Sequence, residues 1–228
     1  PEAWAQAVTS LLRDPSLPTT VKLRVIGRQQ QLLRIDFETP PSHEVLQNKL
    51  VEFERLLPDC DAVVLSDYGK GGLAHIADMI GMARAAGKQV LVDPKGDDYA
   101  RYAGASAITP NRGELREVVG RWRDEADLAE RAQKLRKELA LEALLVTRSE
   151  EGMSLFSDAG VFNEPARARE VFDVSGAGDT VIATLASMLS IGQTWDASVH
   201  VANVAGGIVV GKLGTAVVTR DELLAALN

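Results

Sequence analysis

A largely parallel α/β sheet, with helices on both faces and a small β lid, is the fold class this sequence predicts. Three observations carry the expectation. From about residue 44, short apolar runs alternate with helical runs, the pattern of strands joined by crossover helices. The apolar runs are nearly continuous rather than alternating, as strands buried on both faces require. Polar residues gather where those runs end: Ser66-Asp67, Asp93-Pro94-Lys95, Thr109-Pro110-Asn111 and Thr147-Arg148. Open parallel sheets bind their ligands at the carboxyl ends of the strands.

Taken in order, the elements begin with two runs that look different from the rest. Residues 19–26 and 31–37 alternate polar and apolar side chains with Gly27 between, which predicts two exposed, hairpin-like strands suited to a lid or a dimer surface. Residues 62–66 form a short apolar strand with a polar end, and residues 73–86 read as a helix closed by Gly87. Residues 89–93 and 107–109 are the next two strands, the second of them short. A helix opens at residues 114–119, a strongly helical run follows at 128–139, and 143–147 is a fourth strand. Residues 153–156 and 161–162, separated by Asp158-Ala159-Gly160, predict a hairpin. Two last helices start at about Thr180 and cross residues 196–210. No internal repeat or low-complexity segment is visible.

Composition bounds the function. The 228 residues are enough for one large α/β domain or one and a half small ones, and 46% hydrophobic residues allow a substantial core. No apolar run approaches the ~18–20 residues of a membrane span, and the start, Pro1-Glu2-Ala3-Trp4, lacks a secretory pattern. A net charge of −7 without a basic stripe argues against nucleic acid as a partner. The single cysteine, Cys60, excludes an internal disulfide and suits a reducing, cytoplasmic setting. His43, His75 and His200 are isolated, so a zinc site is not expected.

The most informative stretch is Asp173-Val174-Ser175-Gly176-Ala177-Gly178-Asp179-Thr180. It reads as a glycine-rich turn opening a buried helix, and unpaired N–H groups at such a terminus form an anion site. A carboxylate beside an anion site repels the ligand. Asp179 makes sense there if it takes a proton from a hydroxyl attacking a phosphoryl group held at the same place. An ordinary helix cap, with Asp179 complementing the macrodipole, is the other reading.

These residues resemble a known family, the ribokinase-like (PfkB-type) carbohydrate kinases. Residues 171–180 are similar to its C-terminal signature, Thr109-Pro110-Asn111-Arg112-Gly113-Glu114 to its Asn-x-x-Glu motif, and residues 144–152 to the strand and turn before its nucleotide site. Residues 22–37 with the Arg28-Gln29-Gln30-Gln31 run, 66–71, 92–96 and 211–215 resemble one branch, the kinases of D-glycero-β-D-manno-heptose 7-phosphate. The resemblance runs from about residue 15 nearly to the end. It implies one ribokinase-like kinase domain over 1–228, with a β lid at about 15–40 and a nucleotide-binding α/β core at about 44–228. The family's first strands and its Gly-Gly sugar-site motif have no counterpart here, so part of the sugar pocket is expected to be missing. The His-x-Gly-His motif of a nucleotidyltransferase domain is also absent.

By that resemblance the chain is an ATP- and Mg²⁺-dependent kinase acting on C1 of a heptose 7-phosphate, in ADP-heptose and lipopolysaccharide core synthesis, and a homodimer through its lid strands. Asp179 becomes the catalytic base, with Gly176, Ala177 and Gly178 as the anion hole. Asn111 and Glu114 lie three apart at a helix start, where they can hold Mg²⁺ through water or form a plain capping pair. Lys95 meets a nucleotide phosphate or is a solvated loop lysine. Arg112, Gly113, Thr147, Arg148, Gly152, Asn203 and Gly214 are assigned to the nucleotide cleft, with packing and turn formation as their ordinary roles. Arg28, Gln30, Asp67 and Lys70 are assigned to the sugar phosphate, against solvated-strand and turn readings. Two other functions stay open: the same chemistry on a fructose phosphate or nucleoside, and a silent nucleotide-binding or dimerisation fragment.

Overall fold

The computed structural model describes residues 17–27, 30–167 and 171–227. Strands β1 (Val21–Gly27) and β2 (Gln30–Phe37) pair antiparallel in a two-stranded sheet of their own. Val21 lies opposite Phe37, Leu23 opposite Ile35 and Val25 opposite Leu33, before the register shifts between Val25 and Ile26. The period of two puts these six apolar side chains on one face. That face is uncovered: the six are between 37% and 59% exposed.

The main sheet has six strands in chain order: β3 (Ala62–Ser66), β4 (Gln89–Asp93), β5 (Ala107–Ile108), β6 (Ala143–Thr147), β7 (Met153–Ser157) and β8 (Gly160–Glu164). The first four are parallel; β7 and β8 are antiparallel additions. The helices are α1 (His43–Leu56), α2 (Ile76–Ala85), α3 (Arg112–Val119), α4 (Glu125–Glu138), α5 (Ala177–Ser190), α6 (Trp195–Val210) and α7 (Arg220–Leu227). Alternate strand residues serve two cores. Val63, Leu65, Val90, Val92, Leu144 and Val146 pack with side chains of α2, α3 and α4. Leu91, Ala107, Ala143, Leu145 and Leu155 pack with those of α5 and α6. Leu144 and Leu145 are adjacent, point to opposite faces and are both 0% exposed, so the sheet is covered on both sides. Each such leucine contributes roughly 1.5–3 kcal/mol of burial.

The boundaries differ from expectation where side chains cap or bind backbone. Helix α2 starts three residues later than the periodicity predicts: residues 71–76 form tight turns, with Ala74 N–H donating to the Gly71 carbonyl and Ile76 N–H to the Leu73 carbonyl, while Lys49 and Arg101 also donate to the Gly72 and Leu73 carbonyls. Helix α4 starts a turn earlier than 128, where Asp124 accepts from the Asp127 N–H. Helix α5 starts at Ala177 because Gly176, at φ 77° and ψ 5°, turns the chain in the left-handed region. Helices α1 and α7 were not singled out by the pattern; neither contains a fully buried residue, although Leu50 and Phe53 of α1 pack against the core.

One turn is pressed hard against its neighbour. Gly152, between β6 and β7, has φ 87°, and a Cβ there would lie 2.1 Å from the Glu164 carbonyl oxygen and 2.5 Å from the Ala166 nitrogen. Both obstacles are backbone, so no rotamer change relieves them. Gly152→Ala is expected to lose about 2–4 kcal/mol of unfolding free energy. Gly81→Ala, inside α2 with nothing within 4 Å of the new methyl, is expected to gain about 0.5–1 kcal/mol. Denaturant unfolding of both variants measures this, and an unshifted midpoint for Gly152→Ala contradicts the packing described.

Candidate active site

The parallel strands run the same way, so their carboxyl ends emerge together. β3 delivers Asp67 and Tyr68, β4 ends at Asp93, β5 leads to Thr109 and Asn111, and β6 ends at Thr147. The N-terminus of α5 closes the ring. A cavity of about 190 Å³ is lined by Tyr68, Asp93, Thr109, Asn111, Glu114, Thr147, Gly178 and Asp179.

The α5 terminus is built to stay open. No side chain caps it. Asp173 Oδ1 accepts from the Ser175 N–H at 2.9 Å and Oδ2 from the Gly214 N–H at 3.2 Å, which fixes the loop ahead of the helix without covering it. The first-turn N–H groups of Gly178 and Asp179 have no partner within the helix. A methyl group added at Gly176 or Gly178 would meet nothing within 4 Å, so the space in front of these donors is free. An anion fits there by charge and by room. Beside it, Asp179 Oδ1 accepts from the Tyr68 hydroxyl at 3.1 Å.

Asn111 and Glu114 form a complete capping box at the start of α3. Asn111 Oδ1 accepts from Gly113 N–H at 2.8 Å and Glu114 N–H at 3.0 Å, and Glu114 Oε2 accepts from Asn111 N–H at 3.0 Å. The capping alternative is thus realised, and the pair still lines the cavity. Glu114 Oε1 also accepts from Lys95 Nζ at 2.8 Å, a bond that pushes the lysine pKa up and keeps it cationic at the rim. Both carboxylate oxygens of Glu114 are therefore engaged. Oxygen donors of this kind suit a hard divalent cation that keeps its waters. Among the described residues no group of three or more His, Cys, Asp or Glu side chains is arranged to hold a metal by itself.

Other expected site residues have different work. Arg148 binds Glu125 at 2.6 and 2.7 Å, Ser154 Oγ at 3.0 Å and Glu151; Arg112 binds Glu151 at 2.7 Å and the Arg148 carbonyl at 2.9 Å. These contacts lace α3 and α4 to the turn at 148–151, and neither arginine lines the cavity. Gly152 shapes that turn. Asn203 is 4% exposed and donates to the Pro165 carbonyl at 2.7 Å, the packing role. Asp67 is buried, accepting from Tyr102 O–H at 2.9 Å and Gly69 N–H at 2.8 Å, with Arg101 at 3.6 Å; it sets the turn that carries Tyr68. Lys70 pairs with Glu38 at 2.5 Å, joining that turn to the end of the lid. Asp67 and Lys70 line a second cavity of about 700 Å³, together with Lys22, Lys49 and Phe53. Gln30 pairs with Gly27 on the lid and lines neither cavity; Arg28 lies outside the described residues. Sequence alone places Asp93 and Thr109 at ligand-binding strand ends without a specific role and gives none to Tyr68. Their signal is position: each sits at or just past the carboxyl end of a parallel strand.

The sequence model of the pfkB family carbohydrate kinases matches residues 7–221. The chain is 58% identical over 215 residues to a D-beta-D-heptose 7-phosphate kinase of Bordetella bronchiseptica, covering 94% of this chain and 69% of that protein. It is 51% identical over 221 residues to a bifunctional protein HldE of Chromohalobacter salexigens, and 53% over 217 residues to one of Pseudomonas aeruginosa. Those alignments cover 96% and 95% of this chain, and 46% of each bifunctional protein, so the chain spans less than half their length. Among solved structures, ribokinase from Giardia lamblia superposes with a TM-score of 0.76 at 17% identity, over 99% of this chain and 78% of that one. Ribokinase from Thermotoga maritima gives 0.74 at 21%, over 93% and 70%. At these identities the structural likeness is one of fold.

Asp93 is the strained charge in the cavity. Burial, then the nearby carboxylates of Glu114 and Asp179, push its pKa from the ordinary 3.8 up to about 6. Between those two values the folded protein holds a proton that the unfolded chain releases. The group's contribution is therefore full below about pH 3.8 and is lost as pH rises through about 6. In ligand-free protein, Asp93→Asn is expected to raise the melting temperature at pH 7 relative to wild type, with the advantage shrinking as the pH falls toward 4. Thermal melts across pH 4–7 read this; an advantage that does not change with pH contradicts it.

Proposed function

This chain belongs to the pfkB family of carbohydrate kinases, and from that premise we propose that it transfers the γ-phosphoryl group of ATP to the C1 hydroxyl of a heptose 7-phosphate, supplying ADP-heptose and lipopolysaccharide core synthesis in the cytoplasm. One observation carries the reading: an uncapped helix terminus and a carboxylate face the same small cavity.

The parts have separable tasks. Asp179 accepts the proton of the attacking hydroxyl. The N–H groups at the start of α5, exposed by Gly176, Ala177 and Gly178, take up the charge that spreads over the transferring phosphoryl oxygens. Lys95, already held at the rim, meets a nucleotide phosphate as a mobile point charge. Asn111 and Glu114 hold Mg²⁺ through its waters, because their direct hydrogen-bonding capacity is largely occupied by the capping box. When bound, the ion neutralises phosphate charge. The larger cavity seats the sugar phosphate. Lys22, Lys49 and Lys70 line it, and Lys49 is half-buried with the Gly72 carbonyl as partner and its pKa pushed down by burial. An anion there relieves the desolvated ammonium. The apolar face of the lid is the surface of a homodimer, since Val21, Leu23, Phe37 and their neighbours are otherwise left to water.

In the full-length protein, Asp179→Asn is expected to lower kcat by about 10²–10⁴-fold while ATP affinity stays within about threefold. Turnover near wild type removes Asp179 from the role of base. ADP release across heptose 7-phosphate, fructose phosphates and nucleosides is expected to favour the heptose by at least about tenfold in kcat/KM. Equal values on fructose phosphates contradict the substrate.

A further inference from the structure

Tyr68 is shared by both cavities, the one residue common to their linings among those described. It stands on a turn that is held from several sides. The Asp67 N–H donates to the Asp93 carbonyl at 2.9 Å, and the Asp67 carboxylate is gripped by Gly69, Tyr102 and Arg101. Gly69 and Gly71 take positive φ on either side of Lys70. So much restraint on a loop whose tyrosine is 59% exposed is not spent on burying that tyrosine. It delivers the phenol to Asp179 Oδ1, at 3.1 Å and across 111 residues of chain.

We propose that Tyr68 is a positioning residue for Asp179: its hydroxyl holds Oδ1 and thereby reserves Oδ2 for the proton of the acceptor hydroxyl. The proposal rests on the kinase reading above. An ionised carboxylate is acceptor-only, with two equivalent oxygens that exchange by rotation. A fixed donor on one of them removes that freedom and leaves the other oxygen facing the acceptor hydroxyl. The phenol keeps its proton while doing so, because burial and the Asp179 charge push its pKa up. The ring, standing between the cavities, forms the surface across which a substrate in the larger one reaches the smaller. The titratable groups facing the hydroxyl are Asp179 from α5 and Asp93 from the end of β4, with Glu114 and Lys95 beyond Asp93.

Tyr68→Phe keeps the ring and removes the O–H. In the full-length protein kcat is expected to fall about 10- to 100-fold, with the KM for ATP within about twofold of wild type. In an Asp179→Asn background the same change is expected to cost nothing further. Crystal structures of wild type and Tyr68→Phe test the contact without turnover: the Asp179 carboxylate is expected to leave its wild-type orientation in the variant. A kcat within twofold of wild type, or an unchanged Asp179 carboxylate orientation, overturns the proposal. If the wild type phosphorylates no sugar phosphate, the kinase reading fails by itself, and the carboxylate orientation alone decides whether Tyr68 governs Asp179.

Discussion

Burial of the central strands on both faces is the constraint from which the rest follows. Leu144 and Leu145 are neighbours in sequence and both lose all contact with water, one to α2–α4 and the other to α5 and α6. Such a sheet has no face left for chemistry. The accessible polar groups of its central strands lie at the strand ends, and parallel strands put their carboxyl ends on one edge. That edge gathers Tyr68, Asp93, Thr109, Asn111 and Thr147 from four strands far apart in the chain. The same packing seats α5 beneath the sheet, so that its N-terminus arrives at the edge where those residues emerge.

Within the cavity the charges are already paired with one another. Glu114 serves the α3 cap and Lys95 together, Tyr68 serves Asp179, and Asp93 is left among carboxylates with its charged form disfavoured. The open donors of α5 are the exception. On the proposed function, this imbalance of acidic side chains around open N–H donors is what a phosphate with its counter-cation would correct. It explains why a carboxylate and an anion site stand together.

Much of the site was legible because its chemistry is local. The Gly176–Asp179 turn, the Asn111–Glu114 spacing and Lys95 after a strand each carry their meaning within a few residues, and all reach one cavity rim. The protein partners of Arg112, Arg148 and Asn203 were not legible for the opposite reason. Whether an arginine meets a phosphate or Glu125 and Glu151 depends on elements that sequence spacing does not bring together. Tyr68 shows the same gap in reverse. Its meaning lies in a bond to Asp179, and nothing in either segment announces the other.

The sequence by itself determined the strand order, the helices other than α1 and α7, the two-sided core and the open glycine turn, since apolar period and backbone freedom are properties of short windows. It also determined that the lid alternates. Tertiary structure alone decided that the predicted β7–β8 hairpin joins the far edge antiparallel to β6, and that Gly152 admits no side chain because Glu164 and Ala166 press on it. It also decided that the lid leaves a whole apolar face in water. Those outcomes depend on which segments meet, and distance in space is the quantity that periodicity along the chain does not encode.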